Sequence, residues 1–159
     1  LPGLSLAYVR GTGGDFQIIL NQINPGEKLR SPEVAACVST VAAMPVVRAW
    51  LVEKQRQFAA SGQVVMEGRD IGTVIFPDAR YKFFVTATPE ERARRRLAQT
   101  SENPDGATIE SVAQAIAERD KLDAERAVAP LRRADDALLL DTTGKSIDNV
   151  VDTILENIK

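Results

Sequence analysis

Histidine is absent from these 159 residues, and cysteine occurs once, at Cys37. Without histidine there is no Ser-His-Asp or Cys-His catalysis and no histidine-ligated metal. One thiol excludes an internal disulfide framework and a zinc cluster built from several cysteines. No apolar run approaches the roughly 20 residues of a membrane span, and no secretory signal pattern opens the chain. A net charge of −2 supplies no broad basic face of the kind that nucleic acid polymers require. Phosphoryl transfer passes all of these filters, because it rests on positioning and on cations around anionic oxygens. The expected setting is reducing and cytoplasmic. The length suits one domain, or one domain with a small insert. The chain opens on Leu1-Pro2-Gly3 with no initiator methionine, as a piece of a longer polypeptide would.

What is present follows two patterns. Residues 4–9 and 17–20 read as strands joined by the glycine-rich turn Gly11-Thr12-Gly13-Gly14, a hairpin. Ser31-Pro32-Glu33 marks a helix start, with serine at the cap and proline at the first helical position. Val34, Val38 and Val41 then form one apolar stripe. Pro45 ends that helix and opens another, in which Val47, Trp50, Leu51 and Phe58 are expected to face inward. Residues 1–60 therefore read as a small α+β lobe.

From residue 63 the pattern changes. Segments 64–67, 81–86 and 137–141 are short apolar runs separated by helical stretches, the signature of a parallel sheet covered on both faces. Thr88-Pro89-Glu90-Glu91 makes a helix N-terminus with Glu91 placed for a capping box. A polar loop follows at 100–106, then a long helix over 108–127. Ser146 begins the last helix, with Ile147, Val150, Val151, Ile154 and Ile158 on its expected buried side. Residues 61–159 read as the C-terminal part of an α/β core.

Three groups of residues could carry chemistry. In Glu67-Gly68-Arg69-Asp70-Ile71-Gly72-Thr73, two glycines free the backbone to turn where an apolar run ends, which is where open α/β sheets bind ligands. Arg69 offers a fork of donors suited to phosphate, and Asp70 two acceptors suited to an amino or hydroxyl group. Ordinary loop chemistry remains the competing reading. On the long helix, Val112, Ile116, Arg119, Asp123 and Arg126 fall within a stripe roughly 80° wide, so a core-directed face turns into Arg, Asp, Arg. Such charges are costly unless paired or bound to something; a helix end projecting past the core, with an Arg119–Asp123 pair, is the alternative. Finally, Arg92-Ala93-Arg94-Arg95-Arg96 concentrates positive charge that an anion would relieve, although such runs are often solvated faces. Gly144-Lys145-Ser146 imitates the end of a phosphate-binding loop, but the glycine required five residues upstream is Leu139, so it is a helix cap.

Taken together, Glu67-Gly68-Arg69-Asp70-Ile71-Gly72-Thr73, Phe76-Pro77-Asp78-Ala79, Thr88-Pro89-Glu90-Glu91-Arg92-Ala93-Arg94-Arg95-Arg96, Glu118-Arg119-Asp120 and Arg126-Ala127-Val128-Ala129-Pro130-Leu131 closely resemble bacterial-type cytidylate kinase. Arg30-Ser31-Pro32-Glu33-Val34 with Ser39 and Val41-Ala42-Ala43 is similar to that family's monophosphate-binding insert. The resemblance implies an α/β P-loop-type parallel sheet flanked by helices, and an ATP-dependent, Mg²⁺-assisted phosphoryl transfer to CMP or dCMP. It implies that Ser39, Arg48 and Asp70 read the cytosine and that Arg69 and Arg126 grip the monophosphate. Arg119 and Asp123 would hold the sugar hydroxyls and phosphate side, while a lid around 88–107 would bring Arg92, Arg95 and Arg96 over the ATP phosphates, with no metal-ligating residues in this chain. The family opens with a strand, a Walker-type glycine loop and an Asp-Ser-Gly motif, which are missing here. A missing N-terminal segment of the same protein is therefore expected between 64–67 and 81–86, with these residues inactive alone and the complete protein a monomer. A non-catalytic nucleotide-binding or regulatory module is the rival reading.

Overall fold

The computed structural model describes residues 3–11, 16–42, 44–60, 62–99 and 106–158, which fall into two compact units, Leu1–Met66 and Glu67–Lys159. Apart from Gly11 and Gly106, the turn expected at 11–14 and the loop expected at 100–106 lie outside the described residues. No helix among the described residues is long and apolar enough to cross a membrane.

In the first unit, β1 (Leu6–Arg10) and β2 (Phe16–Leu20) pair antiparallel, from Leu6 opposite Leu20 to Arg10 opposite Phe16. The chain leaves β2 through Asn21 and Gln22, both in the left-handed region, and the Asn21 side chain accepts from the Ser5 amide at 2.8 Å. A 3₁₀ turn (Gly26–Arg30) leads to α1 (Pro32–Ala42) and α2 (Pro45–Ala59). Ser31 accepts from the Val34 amide at 3.4 Å, the cap that the Ser-Pro-Glu sequence predicts. The Tyr8 and Phe58 rings meet at 4.5 Å between centroids and tie α2 to the hairpin.

In the second unit, β3 (Phe83–Thr86) and β4 (Leu138–Asp141) pair parallel, Phe83 opposite Leu138 and Thr86 opposite Asp141. Between them run α3 (Pro89–Ala98) and α4 (Ile109–Glu125), and α5 (Ile147–Asn157) follows. The core is the α3–α4 seam: Ala93, Ala113 and Ile116 are buried, with Ile109 and Val112 packed against them. Alanine at 93 and 113 lets the two helices approach closely. Thr88 caps α3 by accepting from the Glu91 amide at 3.3 Å. The reciprocal capping box forms on α4 instead, where Thr108 and Ser111 each accept from the other's amide.

Four expectations are corrected. Segment 64–67 forms no ladder, and Val65 is fully exposed, because none of the described residues supplies a neighbouring strand. The Val34, Val38 and Val41 stripe exists, yet all three are exposed, and Val47, Trp50, Leu51 and Phe58 are only half-buried. On α5, Val150 and Ile154 are half-buried while Ile147 is 82% exposed. Helix α4 ends at Glu125, leaving Arg126 as an extended C-cap. For the apolar faces of α1, α2 and α5, local periodicity set the element, and burial depended on a distant partner.

Candidate functional site

The turn after residue 67 is built around the Asp70 backbone. Its carbonyl accepts the amides of Thr73, Val74 and Ile75 at 3.3, 2.9 and 3.2 Å, which starts a single π turn over Ile71–Ile75. Such turns are rare and gather at functional sites. The glycines serve space rather than unusual torsions. A Cβ on Gly68 would stand 2.9 Å from Ile71 Cγ1, and one on Gly72 would stand 3.1 Å from Lys82 Cδ.

This turn holds Asp70 at 7% exposure, and its Oδ1 lies 4.0 Å from Arg126 Nη2. Arg69 Nε donates to Asp123 Oδ2 at 2.9 Å, and Arg126 Nη1 lies 3.7 Å from Asp123 Oδ1. Two guanidiniums and two carboxylates therefore alternate in one chain of charges, Arg69–Asp123–Arg126–Asp70. Arg126 is fixed from its other side by donating Nε–H to the Ala129 carbonyl, in a loop that the left-handed Ala129 (φ 51°) bends back. That loop is anchored where Leu131 donates to the Asp123 carbonyl at 2.8 Å. Arg126 Nη2 is buried and has no hydrogen-bond acceptor among the described residues. A buried donor without an acceptor is expensive, and a ligand oxygen would satisfy it.

Arg119 does not join this group. It lines a separate cavity of about 330 Å³ with Arg92, Arg95, Arg96, Gln99 and Ile116. Within that wall the arginines are not an unrelieved run of charge. Arg92 forms a two-pronged pair with Asp120, Arg94 pairs with Glu91 at 2.6 Å, and Arg95 pairs with Glu91 at 3.0 Å. Arg95 also donates to the Thr142 hydroxyl at 3.0 Å and the Thr142 carbonyl at 2.6 Å. Glu91 is thereby drawn to the arginines and does not close the capping box expected for α3. Arg119 has no ion-pair partner among the described residues, and the cavity lining contains no acid.

Beyond β4, the Thr143 amide and then its hydroxyl donate to Asp141, holding that carboxyl below the ordinary carboxylate range. The Thr143 hydroxyl in turn accepts from the Thr88 amide at 3.1 Å, so the end of β4 is tied to the α3 cap.

In the first unit, Arg48 sits half-buried in the opening turn of α2. Ser39 lies on α1, with its side chain outside the described residues. Sequence reasoning passed over Lys82, Asp136 and Thr142, and quoted Asp120 in a motif without giving it a role. The one available signal was Lys82 itself, a cation inside the apolar run 81–86.

A family profile described as Cytidylate kinase matches residues 6–159. The cytidylate kinase of Oleidesulfovibrio alaskensis is 45% identical over 149 residues, covering 94% of this chain and 68% of that protein. That of Limosilactobacillus fermentum is 52% identical over 134 residues, covering 84% and 59%. That of Carboxydothermus hydrogenoformans is 46% identical over 142 residues, covering 89% and 64%. The chain thus spans about two-thirds or less of the length of these relatives.

Proposed function

We propose, from the premise that this chain belongs to the cytidylate kinase family, that it serves ATP-dependent phosphoryl transfer to CMP or dCMP. The observation that carries this reading is the buried Asp70 carboxylate beside an Arg126 donor that lacks an acceptor. Cytosine differs from uracil by an exocyclic amino group, which a carboxylate can accept. Asp70 takes that role.

The acceptor phosphate meets Arg69 and Arg126. One of its oxygens supplies the acceptor that Arg126 Nη2 lacks, and another competes with Asp123 for Arg69. Asp123, so displaced, is free to accept from a sugar hydroxyl. An oxygen of the acceptor phosphate then attacks the γ-phosphorus of ATP in line, and ADP leaves. The arginine-lined cavity suits the polyphosphate, since its charged lining is cationic throughout. There, guanidiniums from Arg92, Arg95, Arg96 and Arg119 stabilise charge spread over the transferring oxygens.

Among the described residues no three His, Cys, Asp or Glu side chains converge as a metal site, and a magnesium ion carried by the nucleotide would draw its ligands chiefly from the phosphates. Residues 1–159 hold no Gly-x-x-x-x-Gly-Lys-Ser/Thr run, so in this reading they carry the acceptor site and lid, and the ATP phosphate cradle is not among them. The same observation favours a second reading, a nucleotide-binding module without transfer activity.

Isothermal titration tests the acceptor site. CMP is expected to bind more tightly than UMP, and Asp70→Ala is expected to cost about 1.5–3 kcal/mol of CMP affinity, typical of a hydrogen bond to a charged group. Equal affinity of the parent and Asp70→Ala for CMP would refute the assignment. Detection of phosphoryl transfer in the complete polypeptide separates the kinase from the module.

A further inference from the structure

Lys82 is nearly inaccessible, its side chain 7% exposed, although it belongs to neither charged group described above. It stands directly before β3, where its carbonyl accepts from the Leu138 amide at 2.9 Å. Its ammonium pairs with Asp136 at 2.6 Å and donates to the Pro77 carbonyl. Its methylene stem covers Gly72: a Cβ there would lie 3.1 Å from Lys82 Cδ and 3.4 Å from Cγ, with the Ala134 Cβ at 3.9 Å. One side chain therefore reaches both ends of the segment that follows Asp70. The stem fills the space beside Gly72, two residues after Asp70, and the ammonium holds Pro77, just past the π turn.

A cation kept out of water needs compensation, and Asp136 supplies it from the surface, being 66% exposed. The pairing also holds the Asp136 carboxyl below its ordinary range, through the Lys82 hydrogen bond first. The arrangement resists motion of the turn, since sliding it along β3 would strip the ammonium of the Pro77 carbonyl. Asp70 presents its carboxylate only as accurately as that backbone is held.

We propose that Lys82, compensated by Asp136, is a positioning residue that clamps the Gly72–Pro77 segment and so fixes the Asp70 carboxylate for discrimination between cytosine and uracil monophosphates. The inference rests on the reading of Asp70 given above. Lys82 touches no nucleotide in it. It acts by holding the turn.

The test is titration of the full chain with CMP and with UMP, taking the ratio of the two affinities. Loss of folded protein lowers both affinities together, whereas a misplaced Asp70 lowers only the one that depends on the amino group. Lys82→Met is expected to cut the CMP-over-UMP ratio about tenfold, the scale of one well-made hydrogen bond. Lys82→Arg, which retains the charge, is expected to recover most of it. Asp136→Asn exposes no apolar surface and is expected to lower the ratio about threefold, which keeps the proposal open to refutation should Lys82→Met not fold. An unchanged ratio in folded Lys82→Met, or in Asp136→Asn, overturns the clamp. Failure of the unmodified chain to prefer CMP overturns the reading of Asp70 itself, a different and separately visible result.

Discussion

Arg95 and Arg119 line one cavity, but only Arg95 is held. Its guanidinium reaches the Thr142 hydroxyl, the Thr142 carbonyl and Glu91, whereas Arg119 has no ion-pair partner among the described residues. Arg95→Ala is therefore expected to lower stability by about 1 kcal/mol, after allowance for its exposure. Arg119→Ala should stay within about 0.5 kcal/mol. Urea unfolding of the two variants checks the difference. Asp141 gives a pH-dependent counterpart. Because donation from Thr143 depresses its folded-state pKa, it adds stability above the ordinary carboxylate range, lost as pH falls through the folded value. Thr143→Val removes the hydroxyl donor, so its stability deficit should be greatest near pH 7 and narrow below about pH 4. Acid titrations of unfolding free energy decide this. Residue types at positions 69, 70, 123 and 126 were legible from sequence, because donor and acceptor chemistry belongs to the side chain. The grouping was legible only in part: Asp70, Asp123 and Arg126 meet, with Arg69 joined to Asp123, but Arg119, one helical turn before Asp123, faces different neighbours.

Helices with local start signals could be read from the chain. Ser31, Thr88 and Ser146 each accept from the amide three residues on, at 3.4, 3.3 and 3.2 Å. Thr88→Ala should cost about 1 kcal/mol, the usual value of such a cap, and loosen the first turn of α3. Guanidinium unfolding together with hydrogen exchange at the Glu91 amide measures both effects. Segment 64–67 has the same apolar character as β3 and β4 but forms no ladder, since a strand is completed by another part of the chain. The valine stripe of α1 and the apolar side of α5 carry the same lesson, for periodicity orients a face without specifying what covers it. The glycines at 68 and 72 were read as sources of torsional freedom, while their surroundings require them for lack of room. That distinction needs the positions of Ile71 and Lys82, which no spacing encodes.

At the level of the whole chain, the family was legible because its motifs recur in order from the Asp70 turn to the Arg126 loop. The α/β arrangement with a small parallel sheet agrees with it. The proposed division of labour predicts that residues 1–159 alone bind CMP but release no ADP when given CMP and ATP, as read by a coupled assay. Sustained turnover would refute it. The sheet itself carries a consequence for biogenesis. Parallel neighbours cannot be joined by a tight turn, so Phe83 finds Leu138 only after α3 and α4 have both been synthesised. During translation β3 must wait with its edge open, while the alanine-lined pair of helices can close from nearby contacts. That interval, ended by the emergence of 138–141 from the ribosome, is when the nascent chain is most open to aggregation.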